Sequence, residues 1–553
     1  MTPETIAAKL RHAIQGEVKT DRIYRGEYSR DASIFEIVPS VVVFPKSVAD
    51  VCASVRLVHE AKKEGQDVSL SARAAGTDMT GGSLTSSVML VFTKYLNHIK
   101  EIGADFAVVE PGVYYRDFER ETLKRGLILP SYPASRNIAA LGGMINNNSG
   151  GERTLKYGQT NRYVEELTVV LSDGSLTTFK PLTSSELEEK KSLKTLEGDI
   201  YRRMHTLIIK NQKVIKRNEP KVSKNASGYA LWRVWDGERG LFNLAQLVVG
   251  AQGTLAIMTE AKLRLVVPKE HRSMLILFLN GFEEVPAIVQ RVLTFEPESF
   301  ESYDDHTFKL AVRFLPDIMR GLGIKKMVRL GISFLPEIWM ALTGGIPKLI
   351  LTAEFAEESA ASAQAKAESA ARALQRFPVA IKIAKDEKES EKYWIMRRES
   401  FNLLRKNLRG LHASPFIDDL VVNPDDLPKF LPELNTLLAK YDLIYTVAGH
   451  VGNGNFHVIP LMNLNDPKSK GIIQELSLKV YELIAKYHGS ITGEHNDGII
   501  RTPFLPLMFD AEMILLFAET KKIFDPLGIL NPGKKVGGTL GDITAYMIGD
   551  ANK

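Results

Sequence analysis

Three short runs of glycine and small polar residues constrain the fold of this chain more than any other feature. They occupy residues 73–83, 142–151 and 249–260. Small side chains let backbone N–H groups approach an anionic ligand closely, and asparagine side chains add donors around a planar polar ring. The first run matches neither the glycine fingerprint of dinucleotide-binding domains nor the phosphate loop of nucleotide hydrolases. We therefore expect the three runs to surround a cofactor in a different kind of fold.

Alternating strand and helix patterns flank these runs. In the first part of the chain, the valine spacing after residue 47 predicts a helix to about residue 58, and short apolar runs predict strands at 41–44, 68–70, 106–109, 166–171 and 261–266. Beyond residue 268 the patterns predict strands at 273–279 and 349–355, a helix at 283–293 and an alanine-rich helix running to Leu374. Both parts are therefore predicted to mix helices and sheets, as α+β or α/β, and not to form helical bundles.

Length and composition narrow the possibilities further. A chain of 553 residues is too long for one core, so two or three domains are expected. The net charge is only +5 and no long basic block is present, which argues against nucleic acid as a partner. The single cysteine, Cys52, excludes a disulfide within the chain. Because the N-terminus lacks a secretory signal and no apolar stretch reaches bilayer-spanning length, we expect a cytoplasmic protein.

Two histidines and a glutamate in the C-terminal part predict a metal site. His450 and His457 flank a turn of glycine and asparagine residues, so a hairpin would bring both imidazoles to one point, and Glu494 would add a carboxylate. This donor set suits a divalent ion with open coordination positions, Zn²⁺ in the first place and Mn²⁺ or Fe²⁺ as alternatives. Histidine pairs also occur as structural or surface residues, which stays open at this point.

The three runs, in this order, resemble the FAD-binding domain of the vanillyl-alcohol-oxidase (PCMH) flavoprotein superfamily. Residues 450–457, 493–498 and 524–534 resemble the C-terminal domain of FAD-linked oxidases, which marks the D-lactate, glycolate and D-2-hydroxyglutarate dehydrogenases. The resemblance implies an α+β fold with three parts: a PCMH-type FAD-binding domain of two subdomains at 1–267, a cap domain with an antiparallel sheet and the metal site at 268–510, and a segment at 511–553 that returns to the FAD domain.

The resemblance also implies how the cofactor is held. The first run would bind the pyrophosphate, and residues 133–160 would surround the isoalloxazine and adenosine. Members with a covalent flavin attach it to a His or Cys, which none of the three runs contains, so the FAD is expected to be non-covalent. The residues expected to contact FAD are Arg73, Ala74, Ala75, Gly76, Thr77, Asp78, Thr80, Gly81, Pro133, Ala134, Ser135, Gly142, Gly143, Asn146, Asn147, Asn148, Ser149, Gly151, Tyr157, Gly158, Thr160, Gly253, Thr254, Ile257 and Asn531.

The implied reaction is oxidation of a small D-2-hydroxy acid to the 2-oxo acid, with hydride transfer to flavin N5. The substrate hydroxyl must lose its proton, so a dication must stabilise the developing alkoxide. His495 is the expected base, with a role as fourth ligand as the alternative. Arg397, or its neighbour Arg398, is expected to bind the substrate carboxylate. Phe401 and Ile459 stand where dicarboxylate members carry polar groups, which favours D-lactate-like or glycolate-like substrates over D-2-hydroxyglutarate.

Electrons are expected to pass to a separate acceptor: a quinone, a cytochrome, an electron-transfer flavoprotein or an iron–sulfur subunit. An insertion at 305–348 mixes basic, aromatic and aliphatic side chains, which predicts peripheral contact with the inner face of a membrane, or short helices packed on the cap. Two other functions on the same fold stay open, an alditol-type oxidase and an alkyl-ether-lipid synthase. A non-enzymatic module that has lost its flavin is the third alternative.

Overall fold

The computed structural model describes residues 2–305, 347–407 and 410–549, with the backbone alone for 398–407. The strands of the N-terminal half are β1 (Glu17–Lys19), β2 (Val41–Phe44), β3 (Leu70–Arg73), β4 (Val88–Val91), β5 (Ile99–Ile102), β6 (Phe106–Val109), β7 (Val164–Val170), β8 (Leu176–Phe179), β9 (Trp235–Asp236), β10 (Leu241–Phe242) and β11 (Ile257–Arg264). Its helices are α1 (Pro3–Ala13), α2 (Arg22–Glu27), α3 (Val48–Lys63), α4 (Tyr115–Leu123), α5 (Leu141–Asn147), α6 (Thr154–Tyr157), α7 (Ser184–Ser192), α8 (Leu196–Lys210), α9 (Gln212–Arg217) and α10 (Ala245–Val248).

The C-terminal half continues the alternation. Its strands are β12 (His271–Leu279), β13 (Ser299–Asp304), β14 (Leu349–Glu357), β15 (Ala380–Ile383), β16 (His412–Ala413), β17 (Leu420–Val421), β18 (Ile444–His450) and β19 (Asn455–Met462). Its helices are α11 (Val285–Leu293), α12 (Ala360–Leu374), α13 (Glu387–Asn407), α14 (Leu427–Leu438), α15 (Pro467–Lys486), α16 (Gly498–Arg501), α17 (Leu505–Met508), α18 (Ala511–Phe524) and α19 (Leu540–Ala545). Within the described ranges, every helix is too short or too polar to cross a bilayer. The predicted insertion at 305–348 lies, apart from its ends, outside these ranges.

The N-terminal half contains two main sheets. The first has the order β1-β2-β4-β3, in which β2 and β3 run parallel to β4. The second is antiparallel, with the order β5-β6-β11-β7-β8. Helix α3 begins where the Ser47 side chain accepts the N–H of Asp50, and it buries Val51, Val55 and Val58 against the first sheet.

Strand pairing moved some predicted element ends. The predicted strands at 41–44 and 106–109 and the helix after residue 47 are confirmed. The strand predicted at 68–70 occupies Leu70–Arg73 instead, since these residues pair in register with β4. The strand predicted at 261–266 begins earlier, at Ile257, because β7 pairs with it from that residue onwards. The partner strand sets these ends, and a local pattern does not contain that information.

The C-terminal half is built on one antiparallel sheet of eight strands. Its main path is β15-β12-β14-β13-β18-β19-β16, and β17 pairs with β19. Strands β12 and β14 are buried over most of their length because both faces are covered. Helices α11 and α12 pack on one face, and the first turns of α13 pack on the other with Tyr393 and Trp394. This sheet matches the antiparallel cap sheet that the sequence implied.

The end of the chain packs back onto the N-terminal half. Met513, Phe517 and Phe524 of α18 join the core of the second N-terminal sheet. The Asn531 side chain donates to the carbonyls of Gly82 and Gln252, both at 2.7 Å, and so ties two of the small-residue runs together. These contacts are those expected of a segment that returns to the FAD domain, while the domain limits themselves stay a prediction.

Gly454 ends the turn between β18 and β19 in a conformation that favours glycine. Its φ is +65°, and a Cβ there would lie 1.9 Å from the carbonyl oxygen of Val422. Gly528 has nearly the same φ, +68°, with nothing within 4 Å of an added Cβ. We expect Gly528→Ala to cost about 1–2 kcal/mol of unfolding free energy and Gly454→Ala about 1–3 kcal/mol more, because only the second adds a clash. Urea unfolding of both variants tests this, and equal losses would contradict it.

Candidate active site

The hairpin of β18 and β19 brings His450 and His457 together. Ala448 pairs with His457 and His450 pairs with Asn455, so both histidines project from the same face of the sheet. Their ring centroids are 5.3 Å apart. Glu494 meets them from the loop after α15: its Oε1 lies 3.2 Å from Nε2 of His450 and 3.6 Å from Nε2 of His457. The structure therefore brings the three predicted metal ligands to one point.

Each of these imidazoles also faces a buried carboxylate on its other side. Nδ1 of His450 lies 2.7 Å from Oε1 of Glu301 on β13, and Nδ1 of His457 lies 3.1 Å from Oδ1 of Asp418. A carboxylate accepts only from a ring nitrogen that carries a proton, so the lone pair is left on Nε2. This carboxylate–imidazole arrangement is the usual support of histidine metal ligands, and the chemistry of the donor set fits a divalent cation.

Lys224 reaches the same site from the N-terminal half. Its ammonium lies 2.8 Å from Oε2 of Glu494 and 3.2 Å from Oδ1 of Asn455, and its side chain is fully buried. Burial raises the pKa of Glu494, but Lys224 and His450 outweigh it and hold that pKa well below its usual range. Glu494 is therefore ionised, as a ligand carboxylate must be.

Asp419 fixes the loop that carries Glu494. Its Oδ2 accepts from the hydroxyl of Thr492 at 2.6 Å and from the backbone N–H groups of Glu494 and His495 at 2.8 and 2.7 Å. Among the described residues, donor atoms of Asp419, His457, Glu494 and His495 also lie within 4.8 Å of one another. A metal site therefore has two possible ligand sets, which share His457 and Glu494.

His495, the predicted base, stacks on His457. The two ring centroids are 5.1 Å apart with an interplanar angle of 21°, and Nδ1 of His495 lies 2.8 Å from Oδ2 of Asp418. Burial lowers the pKa of His495, but Asp419 and Asp418 overcome that effect and raise the pKa to about 9. A nearby dication acts in the opposite direction and favours the neutral ring that a base requires.

Arg397 lies on α13, against the same sheet face as the histidines. Its Nε is 2.5 Å from Oε2 of Glu301, so Glu301 links Arg397 to His450. A guanidinium carries five N–H donors, of which this contact engages the Nε edge. Ile459 on β19 is buried, as expected of an apolar pocket wall. The side chains of Arg398 and Phe401 lie outside the described part.

The three small-residue runs converge on one another. Asn147 of the second run donates to Asp78 of the first at 3.0 Å, and Asn146 accepts the N–H of Gly253 in the third at 3.1 Å. Asp78 also accepts from the backbone N–H groups of Thr80 and Gly82 and thereby folds the first run. These side chains hold the runs together, and their direct contact with FAD stays a prediction.

The first run keeps features that fit a pyrophosphate. Arg73 is 7% exposed and donates through NH2 to the carbonyl of Arg30, while its NH1 has no hydrogen-bond partner among the described residues. A Cβ on Gly76, where φ is +69°, would lie 2.1 Å from that guanidinium. A buried guanidinium with an unused donor, beside backbone that only glycine allows so close, suits an anionic group.

Other predicted cofactor residues lie in these loops or in the core behind them. The Thr160 hydroxyl donates to the carbonyl of Ser149, and Thr254 shares a hydrogen bond with Tyr229. Ile257 packs within the core of the first sheet. The remaining predicted contacts, at 133–135, 142–151 and 157–158, line the same loops, and their contact with FAD stays a prediction.

The loops predicted to hold the cofactor, at 73–83, 133–160 and 249–260 (the cofactor loops), lie against His450, His457 and Glu494 (the histidine cluster). A Cβ on Gly150 would come within 2.8 Å of Glu494 Oε2. Gln159 donates to the carbonyl of Gly493 at 2.8 Å, and Asn496 donates to the carbonyl of Gly250 at 2.8 Å. The N-terminal loops thus form one wall of the candidate active site, and the loop at 492–497 forms the other.

Sequence reasoning missed four residues of this site: Lys224, Glu301, Asp418 and Asp419. Two adjacent aspartates after the apolar pair at 416–417 were a detectable signal, because buried carboxylates are rare without a partner. Glu301 lies in β13, whose mixed sequence SFESYD does not reveal that the whole strand is buried. Lys224 lies in a polar segment without secondary structure, and no local signal marks it.

Comparison with known proteins agrees with this geometry. A family model described as FAD linked oxidases, C-terminal domain, matches residues 268–535, and one described as FAD binding domain matches residues 39–180. The chain therefore belongs to the FAD-linked oxidases, a family of FAD-dependent oxidoreductases.

Individual relatives are distant. D-2-hydroxyglutarate dehydrogenase of Pantoea ananatis (strain AJ13355) is 28% identical over 541 residues, covering 96% of this chain and 51% of the relative. The chain thus spans about half the length of this relative. Glycolate oxidase subunit GlcD of Bacillus subtilis (strain 168) is 26% identical over 513 residues, covering 92% of this chain and 91% of the relative.

Among solved structures, 4-ethylphenol oxidase from Gulosibacter chungangensis superimposes with a TM-score of 0.68 at 17% identity, covering 97% of both chains. This likeness concerns the fold alone, and it confirms the α+β fold of PCMH type that the sequence implied.

Two matched variants distinguish the possible ligand sets. If His450, His457 and Glu494 hold the metal, His450→Gln lowers the affinity for Zn²⁺ by more than about 100-fold, whereas His495→Gln changes it by less than about tenfold. Competition with a chromophoric chelator measures both affinities. The reverse order would assign the metal to the group that contains Asp419 and His495.

Proposed function

We propose that this protein is a FAD- and metal-dependent dehydrogenase that oxidises a D-2-hydroxy acid to the 2-oxo acid. The observation that carries the proposal is the convergence of His450, His457 and Glu494 at one point, directly against the loop that contains Gly150. A dication at that point would lie beside the cofactor loops, where hydride transfer and loss of the hydroxyl proton must occur together.

The residues expected to hold FAD are those of the three small-residue runs, and the metal would be held by two imidazoles and a carboxylate. Bound FAD would supply the acceptor for the hydride that leaves C2 of the substrate. A bound dication, Zn²⁺ in this proposal with Mn²⁺ or Fe²⁺ as alternatives, would lower the pKa of the substrate hydroxyl.

The chain's own residues perform the remaining work. His495 takes the hydroxyl proton through Nε2, because its Nδ1 faces Asp418. Arg397 binds the substrate carboxylate, and Glu301 holds the Nε edge of its guanidinium in place. Lys224 keeps Glu494 ionised and engages one of its oxygens, leaving the other directed at the two imidazoles. Together these contacts fix the substrate with its C2 directed at the cofactor loops.

We favour a D-lactate-like or glycolate-like monocarboxylate as the substrate. Ile459 projects from the same sheet face as His457, two residues further along β19, and a second carboxylate beside it would be poorly solvated. The relative from Bacillus subtilis, a glycolate oxidase subunit of similar length, supports this choice. D-2-hydroxyglutarate is the second candidate, since the relative from Pantoea ananatis carries that name. A quinone, a cytochrome, an electron-transfer flavoprotein or an iron–sulfur subunit would reoxidise the flavin, with peripheral attachment to the inner membrane face as one possible arrangement.

Anaerobic reduction of the purified flavoprotein tests the proposal. D-lactate or glycolate is expected to bleach the flavin absorbance, D-2-hydroxyglutarate to bleach it more slowly, and L-lactate to leave it unchanged. Removal of the metal with a chelator is expected to slow bleaching by at least about 100-fold, since the alkoxide loses its stabilising charge, and added Zn²⁺ or Mn²⁺ is expected to restore it. Rapid-mixing absorbance measures each rate.

Two outcomes would contradict the proposal in different ways. A flavin that no 2-hydroxy acid reduces would reject the reaction itself. Faster reduction by D-2-hydroxyglutarate than by D-lactate and glycolate would keep the reaction but reverse the substrate preference. Dithionite reduction of the same sample provides the control that the flavin is intact and reducible.

A further inference from the structure

Asp418 contacts two imidazoles with one carboxylate. Its Oδ1 lies 3.1 Å from Nδ1 of His457, and its Oδ2 lies 2.8 Å from Nδ1 of His495. The two rings stack with an interplanar angle of 21°, and both turn their Nδ1 atoms towards Asp418. Glu301, which supports His450, differs in this respect, because its second oxygen faces Arg397 and not another imidazole.

The backbone around Asp418 is fixed to the loop of His495. Arg501, which is fully buried, donates to the carbonyl of Asp418 at 2.7 Å and to that of Asn496 at 3.1 Å. Next to it, Asp419 accepts the N–H groups of Glu494 and His495. These ties leave the Asp418 carboxylate little freedom to move away from either ring.

We propose that Asp418 is a positioning residue that keeps the ring proton of both His457 and His495 on Nδ1, so that one carboxylate prepares a metal ligand and a base together. The inference rests on the proposed function. An ionised carboxylate offers acceptors on both oxygens and no donor, so it can accept from two N–H groups at once. Both Nε2 lone pairs are then directed at the reaction: that of His457 at the metal, and that of His495 at the substrate hydroxyl proton.

Asp418→Asn has nearly the same shape but only one acceptor oxygen. Its amide NH₂ must donate to Nδ1 of one imidazole, which forces the proton of that ring onto Nε2. If the affected ring is His457, the metal loses a ligand; if it is His495, the substrate loses its base. A bound metal favours the arrangement in which His457 keeps its Nε2 lone pair. Raising the metal concentration therefore shifts the amide donor to Nδ1 of His495, whose proton then lies on Nε2.

Titrating the purified Asp418→Asn flavoprotein with Zn²⁺ tests this. Metal occupancy is expected to recover at high Zn²⁺, whereas the anaerobic rate of flavin reduction by D-lactate or glycolate is expected to stay about 10²- to 10⁴-fold below that of the unmodified protein, the range for loss of a general base. Occupancy is measured by metal analysis after rapid desalting, and the rate by rapid mixing. FAD content and unfolding temperature verify that the variant is folded.

Glu301→Gln is the matched control, since it removes a buried carboxylate that supports only one imidazole. In this variant the rate at saturating substrate is expected to rise in step with metal occupancy, because His495 keeps its tautomer and the lost contact with Arg397 weakens substrate binding instead. Asp418→Ser, which supplies one acceptor oxygen, is the second variant if Asn prevents folding. In it too, metal occupancy is expected to recover at high Zn²⁺ while the rate of flavin reduction stays low. The double variant Asp418→Asn/His495→Gln is expected to be no slower than His495→Gln alone.

Rate and occupancy that recover together in Asp418→Asn would overturn the inference, as would a double variant much slower than His495→Gln. These failures differ from failure of the proposed function, in which the unmodified, metal-loaded protein is not reduced by any 2-hydroxy acid.

Discussion

Burial of four carboxylates in one site is the constraint on which the rest of this structure depends. Glu301, Asp418, Asp419 and Glu494 are all at most 6% exposed. An isolated carboxylate in such surroundings would be protonated or would unfold the site, so each requires cations or several hydrogen-bond donors within contact distance. The structure meets this requirement with a different partner set for each: guanidinium and imidazole, two imidazoles, backbone N–H groups, and an ammonium.

The partners come from distant parts of the chain, and this joins the two halves. Lys224 belongs to a loop of the N-terminal half, yet its partner Glu494 is 270 residues away in sequence. Asn496, next to His495, donates its side-chain amide to the carbonyl of Gly250 in the third small-residue run. Breaking a buried pair leaves an uncompensated charge, so separation of the halves would be strongly unfavourable. The contacts that hold the two halves together therefore also fix the distance between the cofactor loops and the histidine cluster.

The sequence was most informative where chemistry is encoded locally. The His450–His457 hairpin follows from two histidines around a glycine-containing turn, and the helix after residue 47 follows from the valine spacing. What could not be predicted depends on strand register and long-range packing. Glu301 becomes a partner of His450 only because β13 lies beside β18. Lys224 becomes a partner of Glu494 only because an irregular loop of the N-terminal half reaches the site. In this site the supporting carboxylates are set by topology, whereas the predicted ligands were recognisable from a local motif.

The charges of the site bear on what it can bind. Three buried or nearly buried cations, Lys224, Arg397 and Arg501, face the four carboxylates, which leaves one net negative charge when the imidazoles are neutral. The proposed dication would reverse this to one net positive charge, which a single substrate carboxylate would neutralise. A dicarboxylate would leave an additional negative charge beside the apolar Ile459, where desolvation penalises it most. For a site that holds the proposed dication and neutral imidazoles, this charge balance supports the proposed monocarboxylate.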